Sequence, residues 1–344
     1  MDFFTLLLYL QVSKFTKNLL NVNLSIYHND FKTLEELTFN GAFIQNLIMH
    51  LTTEQFANYQ DQGFVLLPEC FPRQEVEIMK AELPGLAVKS SPTTVFEGNG
   101  KTVRSLHGTH TTNKVFNHLS RHPFIVEPAM QIVGSKVYIY QFKINIKAPF
   151  EGDIWKWHQD YIFWHKEDGM QKPQVTNAMM LLDDMNEFNG PLFVIPGSHK
   201  EGLIDITVKN LKATQENANN SSDTPAWLSS FSANLKYTLS QELISDLVAK
   251  YEIYSIKAPA GSILFFNSNL VHASANNISP FGRNTVIITY NSIENIPLPV
   301  INSRPDFLVS KDYQPVEPLT EKSMANVSKF GQQGIESNQP IFSK

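Results

Sequence analysis

The chain has 344 residues, 42% of them hydrophobic and 18% charged, and a formal net charge of −5. Such a length supports one large domain or two small ones around a sizeable core, and the composition excludes wholesale disorder. The mildly acidic balance leaves no electrostatic footprint for nucleic acid or an anionic membrane, so the expected partner is a small molecule.

Cys70 is the only cysteine. An intramolecular disulfide and a multi-cysteine zinc or iron–sulfur site are therefore excluded, and a reducing cytoplasm is the expected location.

Residues 1–50 mix apolar and Asn-rich stretches and read as an N-terminal helical extension, a candidate element for a homodimer. Their opening, MDFFTLLLYLQ, has Asp2 where a signal peptide carries positive charge, and its apolar run falls short of the roughly 20 residues a spanning helix needs. No membrane span is expected. LTTEQFANYQD (51–61) places Thr52 or Thr53 ahead of Glu54 and Gln55, a helix start. GFVLLPECF then reads as a short strand, and RQEVEIMKAEL (73–83) as a helix with Val76, Met79 and Leu83 on one face.

From residue 137 the texture becomes that of strands. VYIYQFKINIK sets Phe142, Ile144 and Ile146 against Gln141, Lys143, Asn145 and Lys147, one face apolar and the other polar. NAMMLLDDM, PLFVIPG, YEIYSIKAP, SILFFN and NTVIITYNS follow, separated by Gly, Pro and Asn turns. Short strands without long intervening helices predict a mainly-β fold with flanking helices, a sandwich or barrel such as the jelly roll (double-stranded β-helix). The polar stretch within 205–250, including NLKATQENANNSSDTP, reads as an insertion or lid between strands. The chain after about 310 is polar and expected to be peripheral, with 316–344 as a tail behind a principal domain of 51–315.

The stretch WKWHQDYIFWH (155–165) interrupts an aromatic run with His158-Gln159-Asp160. As a strand it would point His158 and Asp160 into one space. Alone, such a pair is as well explained by a histidine bonded to a neighbouring carboxylate. His272 follows an apolar strand (262–267), and Arg283 comes eleven residues later at the start of the next strand. Two histidines and a carboxylate on β-strands can cover one face of an octahedral Fe(II), leaving three positions for a bidentate 2-oxo acid and O2. An arginine nearby can pair with the remote carboxylate of that acid.

WKWHQDYIFWHKEDGM, NGPLFVIPGSHKEG and PAGSILFFNSNLVHASANNISPFGRNT, preceded by QFKINIKAPFEG, carry a resemblance to the phytanoyl-CoA dioxygenase family of Fe(II)/2-oxoglutarate oxygenases, and within it to ectoine hydroxylase-type members. The resemblance covers about 137–292, with a weaker extension to FANYQDQGFVLLPECF at 56–71. It implies His158, Asp160 and His272 as iron ligands, Arg283 as the partner of the far carboxylate of 2-oxoglutarate, and Ser274 as a hydroxyl assisting it. It further implies Gln141 and Asn145 bordering the co-substrate, Asn177 as another polar contact to it, and Lys143 and Trp164 lining the substrate pocket. His165 reads equally as pocket-lining or as an exposed loop histidine. Lys143 and Lys147 can each be read as solvated or substrate-binding. His199 reads as structural, Trp155 and Trp157 as strand core, and Asp183 and Asp184 as a strand-end turn.

The implied reaction is hydroxylation of an unactivated C–H bond of a small polar molecule, such as an amino acid derivative or specialised metabolite, with release of succinate and CO2. Desaturation or ring formation would use the same residues. Halogenation is disfavoured, because Asp160 holds the position that halide would need. An acyl-CoA or carrier-bound acyl substrate, a silent jelly-roll binding protein and a metal hydrolase are the alternatives. The hydrolase leaves Arg283 unexplained.

Overall fold

The computed structural model describes residues 49–87, 91–204 and 235–320, together with positions 206, 227, 228, 231 and 324. The chain divides into two compact units, 1–48 and 49–344, and everything below concerns the second. The helical-extension and dimer readings of 1–50, apart from its last two residues, lie outside the described residues, as do most of positions 205–234 within the expected 205–250 insertion.

In chain order the helices are α1 (Thr53–Gln62), α2 (Arg73–Ala87), α3 (Lys114–Ser120), α4 (Pro123–Val133), α5 (Tyr161–Asp168) and α6 (Gln241–Tyr251). The strands are β1 (Phe64–Leu67), β2 (Thr94–Phe96), β3 (Val103–His107), β4 (Val137–Lys147), β5 (Trp155–His158), β6 (Val175–Leu181), β7 (Leu192–Val194), β8 (Tyr254–Ser255), β9 (Ile263–Asn267), β10 (His272–Ser274) and β11 (Arg283–Ser292). They form one sheet of seven, in the order β1-β9-β6-β11-β4-β3-β2, and one of four, in the order β5-β10-β7-β8. All the pairings are antiparallel. The expectation of a mainly-β, two-sheet core with flanking helices holds.

Local chemistry sets the boundaries. Thr52 and Gln55 form the reciprocal capping box that starts α1, and Gly63 ends the helix in the left-handed region at φ 82°. Buried Val76, Met79 and Leu83 face α2 inward, as its periodicity predicts. On β4 and β11 the period of two separates the faces. Phe142, Ile144, Val286 and Ile288 pack with Phe265 against Val76, Met79, Leu119 and Ile125 of the helical layer. Ile287 of β11, with Met179, Leu181, Leu264 and Phe266, faces Leu192, Val194 and Ile256 on the four-stranded side. Gln141, Lys143 and Asn145 of β4 turn the same way and line a cleft.

Two readings change. YEIYSIKAP is largely helix end and turn: α6 runs through Tyr251, and β8 keeps only two residues. The described part of the stretch after 310 (311–320 and Met324) is tied to the core, while most of the 316–344 tail lies outside the described residues. The Val316 N–H donates to Val137 O at 2.8 Å, the Leu319 N–H to Arg121 O at 3.0 Å, and Met324 is fully buried in the main core. Backbone carbonyls at the start of β4 and after α3 need partners, and the chain end supplies them.

Truncating Phe265, which is fully buried, to Ala should destabilise the domain by about 3–5 kcal/mol, read as a lower urea midpoint. Burial pulls His110 down to about 4, and pulls His107 to about 3 with help from Lys143 and Arg304. Both sit below the unfolded value near 6.5, so the unfolded chain binds more protons in that window. Stability should therefore fall as pH drops from about 6.5 towards 4. Replacing His107 with Gln should flatten the slope of the urea midpoint against pH.

Candidate metal and co-substrate site

Strand β5 pairs antiparallel with β10 so that His158 stands opposite His272, and the two rings lie 4.2 Å apart between centroids. Each imidazole has its Nδ1 against a backbone carbonyl, Lys156 O at 2.6 Å and Leu270 O at 2.9 Å. That fixes the ring orientation and leaves Nε2 turned inward. Asp160 brings Oδ1 to 3.6 Å from His158 Nε2 and Oδ2 to 3.9 Å from His272 Nε2. All three side chains are buried, and their donor atoms lie within 4.8 Å of one another.

Asp160 arrives there by a different route from strand alternation. β5 ends at His158, and Asp160 has helical angles (φ −69°, ψ −38°) as the residue flanking α5. Gln159 fixes this turn. Its Nε2 donates to Gly202 O and Asn269 O, while its Oε1 accepts from the Ile204 N–H. The Tyr161 N–H donates to Ser268 O. The second half of WKWHQDYIFWH is thus a helix whose Tyr161, Phe163 and Trp164 are buried.

The donor set suits a divalent metal: two imidazole nitrogens and one carboxylate, each oriented by an outer partner. Asn177 Nδ2 donates to Asp160 Oδ2 at 2.8 Å, and Thr289 Oγ1 donates to Asn177 Oδ1 at 2.7 Å. Asn177, expected against the co-substrate, instead holds the carboxylate, because its β6 position faces Asp160 and β11. Burial alone would raise the Asp160 carboxyl, but Lys143, His272 and His158 outweigh it and hold it well below the usual range. Burial, then His158, lowers His272 to about 4, so it is neutral at pH 7 and ready to ligate.

A cleft of about 680 Å³, mouth included, opens onto these three residues and is also lined by Gln141, Lys143, Asn145, Trp164, Ser274 and Arg283. Four buried polar atoms on its walls have no hydrogen-bond partner: Gln141 Nε2, Asn145 Oδ1, Ser274 Oγ and Arg283 Nε. Arg283, buried, has Gly190 O at 2.6 Å and Thr285 Oγ1 at 3.4 Å as acceptors, and among the described residues no carboxylate pairs with it. Three of these four atoms can donate, so around the buried Arg283 they suit a ligand rich in oxygen.

The structure brings ten of the eleven expected site residues to this cavity or its immediate support. His165 is the exception: its Nδ1 contacts Met170 O at 2.9 Å and its ring stacks on Tyr161, away from the cleft. The turn into α5 carries Trp164 inward and His165 out. Lys147 neither meets solvent nor lines the cleft; it is 2% exposed, beside Arg283 on the neighbouring strand.

Sequence reasoning missed Trp155, Phe163, Phe231, Leu235 and Arg304, all of which line the cleft. Trp155 looked like strand core, yet Arg104 stacks over its ring at 4.0 Å and holds it at the cavity wall. Phe231 and Leu235 come from the stretch read as a polar insertion. Arg304 lies in a Pro-rich segment without motif. It forms a buried two-pronged pair with Asp168, which also accepts from the Tyr140 hydroxyl.

Comparison with known proteins agrees with this geometry. A family model described as phytanoyl-CoA dioxygenase matches residues 59–285. An L-proline trans-4-hydroxylase from Streptomyces griseoviridis is 37% identical over 261 residues, covering 76% of this chain and 93% of the relative. An ectoine dioxygenase from Bordetella bronchiseptica is 32% identical over 281 residues, covering 78% and 86%. Among solved structures, EctD from S. alaskensis with bound Fe superposes with a TM-score of 0.64 at 26% identity, covering 78% of this chain and 87% of that one. The same protein has been solved with 2-oxoglutarate and 5-hydroxyectoine, with a TM-score of 0.62 at 25% identity and coverage of 79% and 86%.

Calorimetric titration of the metal-free protein with a divalent metal should give one site per chain. Asp160→Ala should abolish it. Asn177→Ala should weaken it about 10- to 100-fold, because the carboxylate loses its orienting partner.

Proposed function

Because the chain belongs to the phytanoyl-CoA dioxygenase family, we infer that His158, Asp160 and His272 hold Fe(II), and that Arg283 with Ser274 seats the remote carboxylate of 2-oxoglutarate. The protein is an Fe(II)- and 2-oxoglutarate-dependent dioxygenase, a hydroxylase of a small polar substrate. The observation that carries the residue assignment is Arg283: a buried guanidinium without an acid partner, opening onto the same cavity as the triad. A metal hydrolase has no use for it.

When bound, Fe(II) and 2-oxoglutarate together activate O2, with release of succinate and CO2 and transfer of one oxygen atom to substrate. The chain's own contribution is positioning and exclusion of water. The Nδ1 contacts of both histidines and the Asn177–Asp160 bond hold the ligand atoms convergent. Ser274 Oγ and Arg283 Nε, both unengaged, meet carboxylate oxygens. Gln141 and Asn145, two apart on β4, present their free amide atoms to the co-substrate's flank. Trp155, Phe163, Trp164, Phe231 and Leu235 form the apolar wall that keeps the reacting C–H bond dry.

Lys143 and Arg304 give the substrate end of the cleft a positive lining. That suits an anionic group on the substrate, and supports a carboxylate-bearing amino acid or derivative over a bulky acyl carrier. Proline and ectoine, on which two of the relatives act by name, both satisfy this. The two-sheet core is read as a jelly roll with a principal domain of 51–315. The single Cys70 supports a cytoplasmic location, and among the described residues no helix is long and apolar enough to cross a membrane.

Anaerobic addition of Fe(II) and 2-oxoglutarate should produce a weak visible charge-transfer band. Succinate release should then rise with one member of a panel of free amino acids and cyclic derivatives, alongside a product heavier by one oxygen. Arg283→Ala should raise KM for 2-oxoglutarate about 10- to 100-fold, the scale of a lost charged hydrogen-bond pair. An unchanged 2-oxoglutarate affinity in that variant would refute the role of Arg283.

A further inference from the structure

Beside Arg283, on the neighbouring strand, lies a buried lysine. Lys147 ends β4 directly opposite Arg283, the first residue of β11. It is 2% exposed, and among the described residues it has no carboxylate within ion-pair distance. Its Nζ donates instead to two backbone carbonyls, Asp153 O in the β4–β5 connection and Ala275 O just after β10. A buried lysine without an acid partner is expensive. Burial, with Arg283 and Arg104 near, lowers its pKa to about 6.

The stem of Lys147 is as constrained as its head. It packs against two glycines. A Cβ on Gly152 would sit 2.8 Å from Lys147 Cβ, and one on Gly190 would sit 2.6 Å from Lys147 Cδ and 2.8 Å from Ala275 O. Gly190 also has φ 78°, so this turn requires glycine twice over. Its carbonyl is the close acceptor for Arg283 Nη2. Ala275, held by the lysine head, directly follows Ser274, whose hydroxyl faces the cleft without a partner. One side chain thus grips the backbone that aims the arginine and the backbone that aims the serine.

We propose that Lys147 is a positioning residue for the dicarboxylate co-substrate, acting through Gly190 on Arg283 and through Ala275 on Ser274 without touching the ligand. The proposal rests on the assignment of Arg283 and Ser274 to the remote carboxylate of 2-oxoglutarate. Because Lys147 does not reach the metal ligands, its removal weakens only ligands that extend as far as Arg283. A ligand that chelates the metal and stops there is unaffected.

The test is calorimetric titration of the anaerobic Fe(II) protein with two chelators, N-oxalylglycine, which carries the remote carboxylate, and oxalate, which lacks it. Lys147→Met keeps the stem and removes the Nζ donor; Lys147→Gln retains a donor group and serves where the Met variant does not fold. The expected result is about tenfold or greater weakening of N-oxalylglycine with oxalate unchanged, the scale of a site loosened by a fraction of an ångström. In an Arg283→Ala background the Met substitution has a smaller effect, the part carried through Ser274, and in an Arg283→Ala/Ser274→Ala background it adds nothing further. Equal weakening of both chelators, or unchanged N-oxalylglycine affinity in a folded variant, overturns the proposal. So does an undiminished effect in the Arg283→Ala background. A wild-type protein that binds both chelators equally sinks the co-substrate assignment itself, and the proposal with it.

Discussion

The turn between His158 and Tyr161 is the constraint on which the site depends. The chain must stop being a strand at His158, because that residue is paired with His272, and must start a helix at Tyr161. Only then does the Asp160 carboxylate face both imidazoles. Gln159 makes the turn obligatory: buried, with all three of its side-chain hydrogen bonds made to segments distant in sequence. Moving the turn would leave these groups buried and unpaired, which is costlier than any gain from a longer strand or helix.

Around that turn the polar groups divide into engaged and unengaged ends, and the division marks the chemistry. The histidines are anchored at Nδ1 and open at Nε2. Asp160 is anchored by Asn177, which Thr289 anchors in turn. Arg283 is held by one backbone carbonyl and open at Nε. Arg304, by contrast, is saturated on one side by Asp168, so only its remaining edge can address a ligand. A purely structural polar cluster would satisfy itself. This one is complete on its outer side and incomplete on the side of the cleft.

The larger sheet makes this possible by serving two layers. Its outer face is apolar and packed with helices. Its inner face is apolar towards one end and polar where Gln141, Lys143 and Asn145 of β4 meet the cleft. Strand periodicity alone lets one strand contribute to a dry core and a wet site. Phe231 and Leu235 close the remaining side, with the Phe231 carbonyl accepting from Arg104 Nε at 2.8 Å.

Much of this was legible in the sequence, and for identifiable reasons. Alternation in VYIYQFKINIK announced which face of β4 carries polar groups, since a strand offers no other choice. The metal-binding residue types and their chain order, with Arg283 beyond His272, were visible because that chemistry demands those side chains. What the sequence could not supply was direction. His158 and Asp160 looked like neighbours on a strand, whereas a helix start brings them together; local pattern does not record a turn held by Gly202, Ile204 and Asn269. Asn177 and Lys147 were visible as polar residues on strands, but only the tertiary structure decided that one orients Asp160 and the other is buried beside Arg283. Arg304 had no motif at all, because its place in the cleft is set by Asp168, 136 residues away in the chain. The sequence by itself determined the donors and the faces of the strands, which are local properties. Tertiary structure alone decided which of those donors remain unengaged, because that depends on partners brought in from distant parts of the chain.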